Sequence, residues 1–177
     1  MEVAPTKRIC LVAGSTGLIG NLLVKELVKS DQDVIALTRS NHSSEDRQVL
    51  YKTIDFDKKE SFEALFEKVT DVFICLGTTI KKAGSKDSFK KVDVEYCFSI
   101  AEAASKARVS NLSIVTSIGA DSESNNFYLK CKGEVEEMIS GLSFQSLSIY
   151  RPGLLIGERE DKRFVESIGQ IIQPWLI

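Results

Sequence analysis

What this chain can fold into is restricted above all by a short glycine run, Gly14-Ser15-Thr16-Gly17-Leu18-Ile19-Gly20, set between two different apolar patterns. Before it, Ile9, Cys10, Leu11 and Val12 form the continuous apolar run of a strand buried on both faces. After it, Ile19, Leu22, Leu23 and Leu27 recur at helical spacing between Leu18 and Lys29. A strand that turns through glycines directly into a helix suits one physical task. Gly14 permits the tight turn, Gly17 lets the backbone approach a pyrophosphate, and Gly20 lets the helix pack on the strand. The free N–H groups and positive end of that helix then face the phosphates.

The rest of the chain repeats the alternation. Strands are expected over Val34–Thr38, Val49–Phe56, Val72–Leu76, Leu112–Val115 and Phe144–Tyr150. Helices are expected over Lys59–Val69, Val92–Lys106, Phe127–Ile139 and Arg163–Ile172, with residues 78–91 a polar loop or broken helix carrying Gly84. Strand and helix in alternation imply βαβ units and an α/β fold with a doubly wound parallel sheet. The expected strand order is 3-2-1-4-5-6, in a single Rossmann domain over residues 1–177. The apolar end Pro174-Trp175-Leu176-Ile177 leads us to expect a natural chain that continues.

Composition narrows the function classes. Twenty-three basic against 25 acidic residues give a net charge of -2, which offers no electrostatic footprint for nucleic acid or an anionic membrane. The densest basic stretch, Lys81, Lys82, Lys86, Lys90 and Lys91, is diluted by Asp87 and Asp93 and reads as a solvated face. Cys10, Cys75, Cys97 and Cys131 form no CxxC pair and read as buried thiols. The single histidine, His42, lies in a polar loop, which argues against a His-based metal site or a Ser-His-Asp triad. The first residues do not fit a secretory leader, and the cytoplasm is the expected compartment. Self-association or a protein partner is left open.

Two further positions carry chemistry. Arg39 follows the second strand, where an NAD enzyme presents Asp or Glu to the ribose hydroxyls. Arg39 and Ser40 offer instead a cation and a hydroxyl suited to a 2′-phosphate, so NADP(H) is expected over NAD(H). The segment Tyr128-Leu129-Lys130-Cys131-Lys132 is a Tyr-x3-Lys. At about 100° per residue, Tyr128 falls about 20° from Val135 on the apolar stripe, Lys132 about 60° and Lys130 about 140°. Lys132 is therefore drawn inward beside the tyrosine, and Lys130 points to solvent. A nearby ammonium favours tyrosinate and so makes tyrosine a usable proton donor at neutral pH. Thr116 or Ser117, at the end of the fifth strand, would offer one hydroxyl to a substrate carbonyl, since alternation turns only one of the two toward the crevice.

Taken with Leu76-Gly77-Thr78-Thr79, Lys82-Ala83-Gly84, Gly119-Ala120-Asp121, Tyr128-x3-Lys132-Gly133-Glu134 and Arg151-Pro152-Gly153, the glycine loop resembles the Tat-interacting-protein oxidoreductase family, atypical short-chain dehydrogenase/reductases with epimerase-like relatives. The resemblance covers nearly the whole chain. It implies cofactor contacts at Thr16, Gly17, Leu18, Ile19, Arg39, Ser40, Leu76, Gly77, Tyr128, Lys132, Leu155 and Arg163, with Tyr128 the proton donor or acceptor. Leu18 and Ile19 stand where relatives carry polar residues, so only their backbone groups are credited. The reading that results is an NADP(H)-dependent oxidoreductase of a small carbonyl or alcohol. The alternatives are an NADPH-binding regulator or redox sensor, and a nucleotide-sugar epimerase.

Overall fold

The structure, a computed structural model, describes residues 7–153. Six strands form one parallel sheet: β1 Ile9–Ala13, β2 Asp33–Thr38, β3 Val49–Thr53, β4 Asp71–Ile74, β5 Asn111–Val115 and β6 Ser146–Tyr150. Their order is β3-β2-β1-β4-β5-β6, as the alternating pattern predicts. The order reverses between β1, which pairs with β2 on one side, and β4 on the other. Ligands of open α/β sheets bind at this reversal, beyond the carboxyl ends of the strands.

The apolar run of β1 is explained by burial on both sides. Leu11 and Ala13 join the larger core, whereas Val12 joins a second cluster with Val24, Val34 and Ala36. That second cluster seats α1 (Leu18–Lys29) through Val24, Leu23 and Leu27. The larger core lies beneath α4 (Cys97–Lys106) and α5 (Phe127–Ser140), whose Ile100, Ala101, Ala104, Val135 and Ile139 are fully buried. At the amino edge, buried Asp71 accepts hydrogen bonds from Arg8 (3.2 Å), Thr70 (2.7 Å) and Asn111 (3.1 Å), tying β1, β4 and β5 together.

Two stretches depart from the periodic reading. Residues 59–69 contain two short 3₁₀ turns, Lys59–Ser61 and Glu63–Phe66, in place of one amphipathic helix. Phe62 leaves helical backbone between them (φ -137°), and Phe62 and Phe66 both reach the core. The Ser61 hydroxyl donates to the Asp55 carbonyl at 2.8 Å and holds this segment against the end of β3. Residues 78–91 hold two short helices, α2 Ile80–Ala83 and α3 Lys86–Lys90, divided by Gly84 in the left-handed region (φ 85°). From α3 the chain continues through a π-helical segment, Lys91–Tyr96, into α4. The expected helix over 163–172 lies outside the described residues. Among those described, no helix is long and apolar enough to cross a membrane.

Candidate active site

The turn from β1 into α1 is as tight as its glycines allow. Gly14 has φ 84°, and a Cβ there would lie 2.5 Å from the Cys75 carbonyl oxygen beyond β4. A Cβ on Gly20 would lie 2.2 Å from the Gly14 carbonyl oxygen, so the first turn of α1 rests on the loop backbone itself. Gly17 caps α1 in extended conformation with no side chain on the helix end, and no acidic residue stands in the first turn. An uncapped helix end above a cradle that side chains would fill is the chemistry of a phosphate site. Thr16 is exposed beside it, and Leu18 and Ile19 are half-buried. The Ile19 side chain borders an apolar groove of about 470 Å³ with Leu23 and Phe73, which leaves its backbone N–H for the loop.

The loop is braced toward β2 by Ser15, whose buried hydroxyl donates to the Leu37 carbonyl at 3.0 Å. Arg39 and Ser40 follow at the carboxyl end of β2, both exposed. Arg39 enters no salt bridge among the described residues. Ser40 Oγ lies 3.2 Å from His42 Nε2, and its carbonyl accepts the Thr38 hydroxyl at 2.8 Å.

On the far side of the reversal, α5 begins at Asn126, whose side chain accepts from the Tyr128 and Leu129 amides at 3.0 and 3.2 Å. This cap fixes Tyr128 in the first turn, edge-on to Phe89 with ring centres 6.0 Å apart. Lys132 is 4% exposed and Lys130 is at the surface, the phase that the apolar stripe predicts. The Lys132 ammonium lies 5.8 Å from the Tyr128 ring centre and 2.8 Å from Asp93 Oδ1. Asp93, 1% exposed, accepts from the Thr78 amide through Oδ2 at 2.9 Å, immediately after Leu76-Gly77. Burial disfavours a charged Lys132, but the groups around it, Asp93 foremost and then Cys97 and Tyr128, together outweigh burial, so the ammonium holds its proton above the ordinary lysine range. In the sequence Asp93 stands beside Lys90 and Lys91 and reads as part of a solvated face. Its sole signal was an acidic residue between apolar Val92 and Val94.

Of the two hydroxyls after β5, Thr116 is buried and donates to Glu136 Oε1 at 2.5 Å. Glu136, itself buried, is also forked by the Arg151 guanidinium. Thr116 thus serves a buried polar cluster at the end of β6, and Ser117 is the half-buried member, donating only to the Ile118 carbonyl at 3.3 Å. Leu155 and Arg163 lie outside the described residues. Burial pushes the thiols of Cys75 and Cys97, both bordering this region, up to about 12, so neither is a thiolate at neutral pH.

A doubly wound sheet with a glycine cradle at its topological switch defines an NAD(P)-binding protein of oxidoreductase and epimerase-like fold. The sequence profile described as NAD(P)H-binding matches residues 14–168, and the chain belongs to that family. It is 34% identical over 157 residues to Protein HTATIP2 of Rattus norvegicus, which covers 86% of this chain and 64% of the rat protein. It is 36% identical over 156 residues to Protein FMP52-1, mitochondrial, of Scheffersomyces stipitis, covering 86% of this chain and 69% of that protein. These relatives bear out the resemblance to the Tat-interacting-protein family. Among solved structures, UDP-N-acetylglucosamine 4-epimerase from Bacillus cereus superimposes with a TM-score of 0.72 at 19% identity, covering 89% of this chain and 63% of that one.

The cytoplasmic expectation is overturned. FMP52-1 and its counterparts in Debaryomyces hansenii and Candida albicans carry the name mitochondrial. A search for an apolar leader tests only secretion, whereas mitochondrial targeting segments are amphipathic and rich in Arg and Ser.

Proposed function

We propose that the chain is the core of an NADP(H)-dependent oxidoreductase acting on a small carbonyl or alcohol. The observation that carries this reading is the buried Lys132 ammonium beside Tyr128, paired with Asp93, which in turn holds the Thr78 amide after β4. Gly14, Thr16, Gly17, Leu18, Ile19 and Gly20 would hold the pyrophosphate through backbone groups. Arg39 and Ser40 would take the 2′-phosphate, and Leu76 and Gly77 would flank the nicotinamide half. Bound there, the cofactor supplies or accepts a hydride.

The residues of the chain do the rest. Ser117 orients the substrate oxygen. Tyr128 gives it a proton, or takes one in the oxidative direction. Lys132 donates to the nicotinamide ribose and lends its positive charge to the tyrosine. An intact Tyr128–Lys132 pair favours turnover, because a cofactor sensor needs only the cradle and Arg39.

The test is NADPH and NADH titration of the full chain, followed by NADPH consumption against a panel of aldehydes and ketones. Tyr128→Phe removes only a hydroxyl, so cofactor affinity should persist while the rate falls by roughly 10²–10⁴-fold, the usual contribution of a placed general acid. NADPH binding with no carbonyl turned over, or full activity in Tyr128→Phe, would move the reading to the sensor.

A further inference from the structure

Lys132 has a cost to meet before it can do either of its proposed tasks, because an ammonium removed from water tends to give up its proton. The groups that face it are few. On its own helix stands Tyr128, on α4 stands the thiol of Cys97, and on the π-helical segment stands Asp93. Cys97 keeps its proton through the neutral range and Tyr128 is the intended proton donor, so neither supplies a standing negative charge. The nearby acids on α5 are engaged elsewhere: Glu134 pairs with Lys90 at 2.7 Å, and Glu136 with Arg151. Asp93 is the remaining counter-ion.

The backbone delivers Asp93 by a local departure from α-helical winding. The segment Lys91–Tyr96 is π-helical, a geometry found mostly as single turns at functional sites. Asp93 and Val94 are buried on this turn while Lys91 and Glu95 stay exposed. The two oxygens of Asp93 then do different things. Oδ2 accepts from the Thr78 amide at 2.9 Å and holds the segment after β4 that carries Gly77. Oδ1 makes no hydrogen bond among the described residues and lies 2.8 Å from Lys132 Nζ, an ion pair.

We infer that Asp93 is the positioning residue of this site: its carboxylate keeps Lys132 charged and aimed at the crevice, and joins that lysine to the Gly77–Thr78 segment after β4. An ammonium carries three donors, so an ion pair with one carboxylate oxygen leaves N–H groups for ribose hydroxyls and the tyrosine. The inference builds on the ribose-holding role proposed for Lys132, and the experiment separates the two.

Full-length protein labelled with ¹³C at lysine Cε is titrated by NMR, and the Lys132 signal is the one that vanishes in Lys132→Met. In the wild type this signal should keep its charged position to above about pH 10, the ordinary lysine range. Asp93→Asn keeps an acceptor for the Thr78 amide and removes only the charge. Its Lys132 should titrate about two pH units lower or more, since full burial displaces lysines by up to about 3–5. NADPH titrations by nicotinamide fluorescence form the second arm. Wild-type affinity should be level across the mildly alkaline range, whereas that of Asp93→Asn should fall by up to about tenfold per pH unit above the lowered pKa.

Equal Lys132 titration in Asp93→Asn and wild type overturns the inference. So does a wild-type Lys132 that loses its proton below about pH 9, well under the ordinary range, and that result needs no folded Asp93 variant. If Lys132→Met keeps wild-type NADPH affinity, the ribose role of Lys132 falls instead, and the NMR arm still decides Asp93. If Lys132→Met loses affinity while Asp93→Asn keeps it at every pH, Asp93 is structural only.

Discussion

Gly133 lies mid-helix in α5, one residue beyond Lys132, where alanine would ordinarily be the better helix former by about 1 kcal/mol. The structure reverses that sign. A Cβ on Gly133 would meet the Ser122 amide nitrogen at 2.1 Å, the Asp121 carbonyl carbon at 2.2 Å and the Asp121 Cα at 2.7 Å. All three are backbone atoms, and ordinary contact begins at 3.4 Å, so the loop after β5 must retreat by about 1.3 Å. Overpacking of this kind costs about 3 kcal/mol at the upper end of its usual range. The retreat also strains the Asp121 amide bond to the Leu129 carbonyl (3.2 Å) and the Ser122 hydroxyl bond to Glu137, at about 1 kcal/mol each. Against the propensity gain, Gly133→Ala should lose about 2–4 kcal/mol, a fall in Tm of order 10 °C for a chain of this size. The control is Gly141→Ala, where the added Cβ finds only Met138 O at 3.5 Å and φ is -77°, so stability should hold or rise by about 0.4–1 kcal/mol. Urea and thermal unfolding of both variants check this. A Gly133→Ala protein as stable as the wild type would show that the loop at Asp121 and Ser122 does not rest on α5.

Three further outcomes are expected. Gly17→Val should abolish NADPH binding while the fold persists, because its Cβ meets only Gly14 O at 3.3 Å within the protein and otherwise enters the phosphate cradle; equal titrations of the two proteins would refute it. Arg39→Ala should weaken NADPH by about 1.5–3 kcal/mol, the range for hydrogen bonds to charged groups, and leave NADH nearly unchanged; equal loss of both would remove the 2′-phosphate assignment. Hydrogen bonds from Lys59 and then Lys106 hold the Glu102 carboxyl below the ordinary 4.5, so its contribution is complete above that pH and disappears as pH falls through the depressed pKa. Glu102→Gln should therefore melt slightly below wild type at neutral pH, by less than about 1 kcal/mol for so exposed a pair, and coincide with it in strong acid; a gap that persists in acid would contradict the assignment.

The chain wrote its architecture into local patterns. Buried parallel strands read as continuous apolar runs, the glycine turn marks where β1 becomes α1, and the phase of α5 separates inward Lys132 from outward Lys130 using only residues within two turns. The same local logic failed over residues 59–69, where Phe62 and Phe66 share a helical spacing but Ser61 bonds back to Asp55 and divides the segment. It could not foresee that Thr116 is buried on Glu136, because Glu136 arrives with α5 and its partner Arg151 only when β6 pairs beside β5. Nor could it find Asp93. An aspartate among lysines reads as a soluble surface until a π-helical turn carries it inward and a lysine from a distant helix arrives as its partner. Periodicity reports which face of an element is apolar, and so it shows the frame. A buried charge is defined by what meets it across the fold, and that meeting exists only in the tertiary structure.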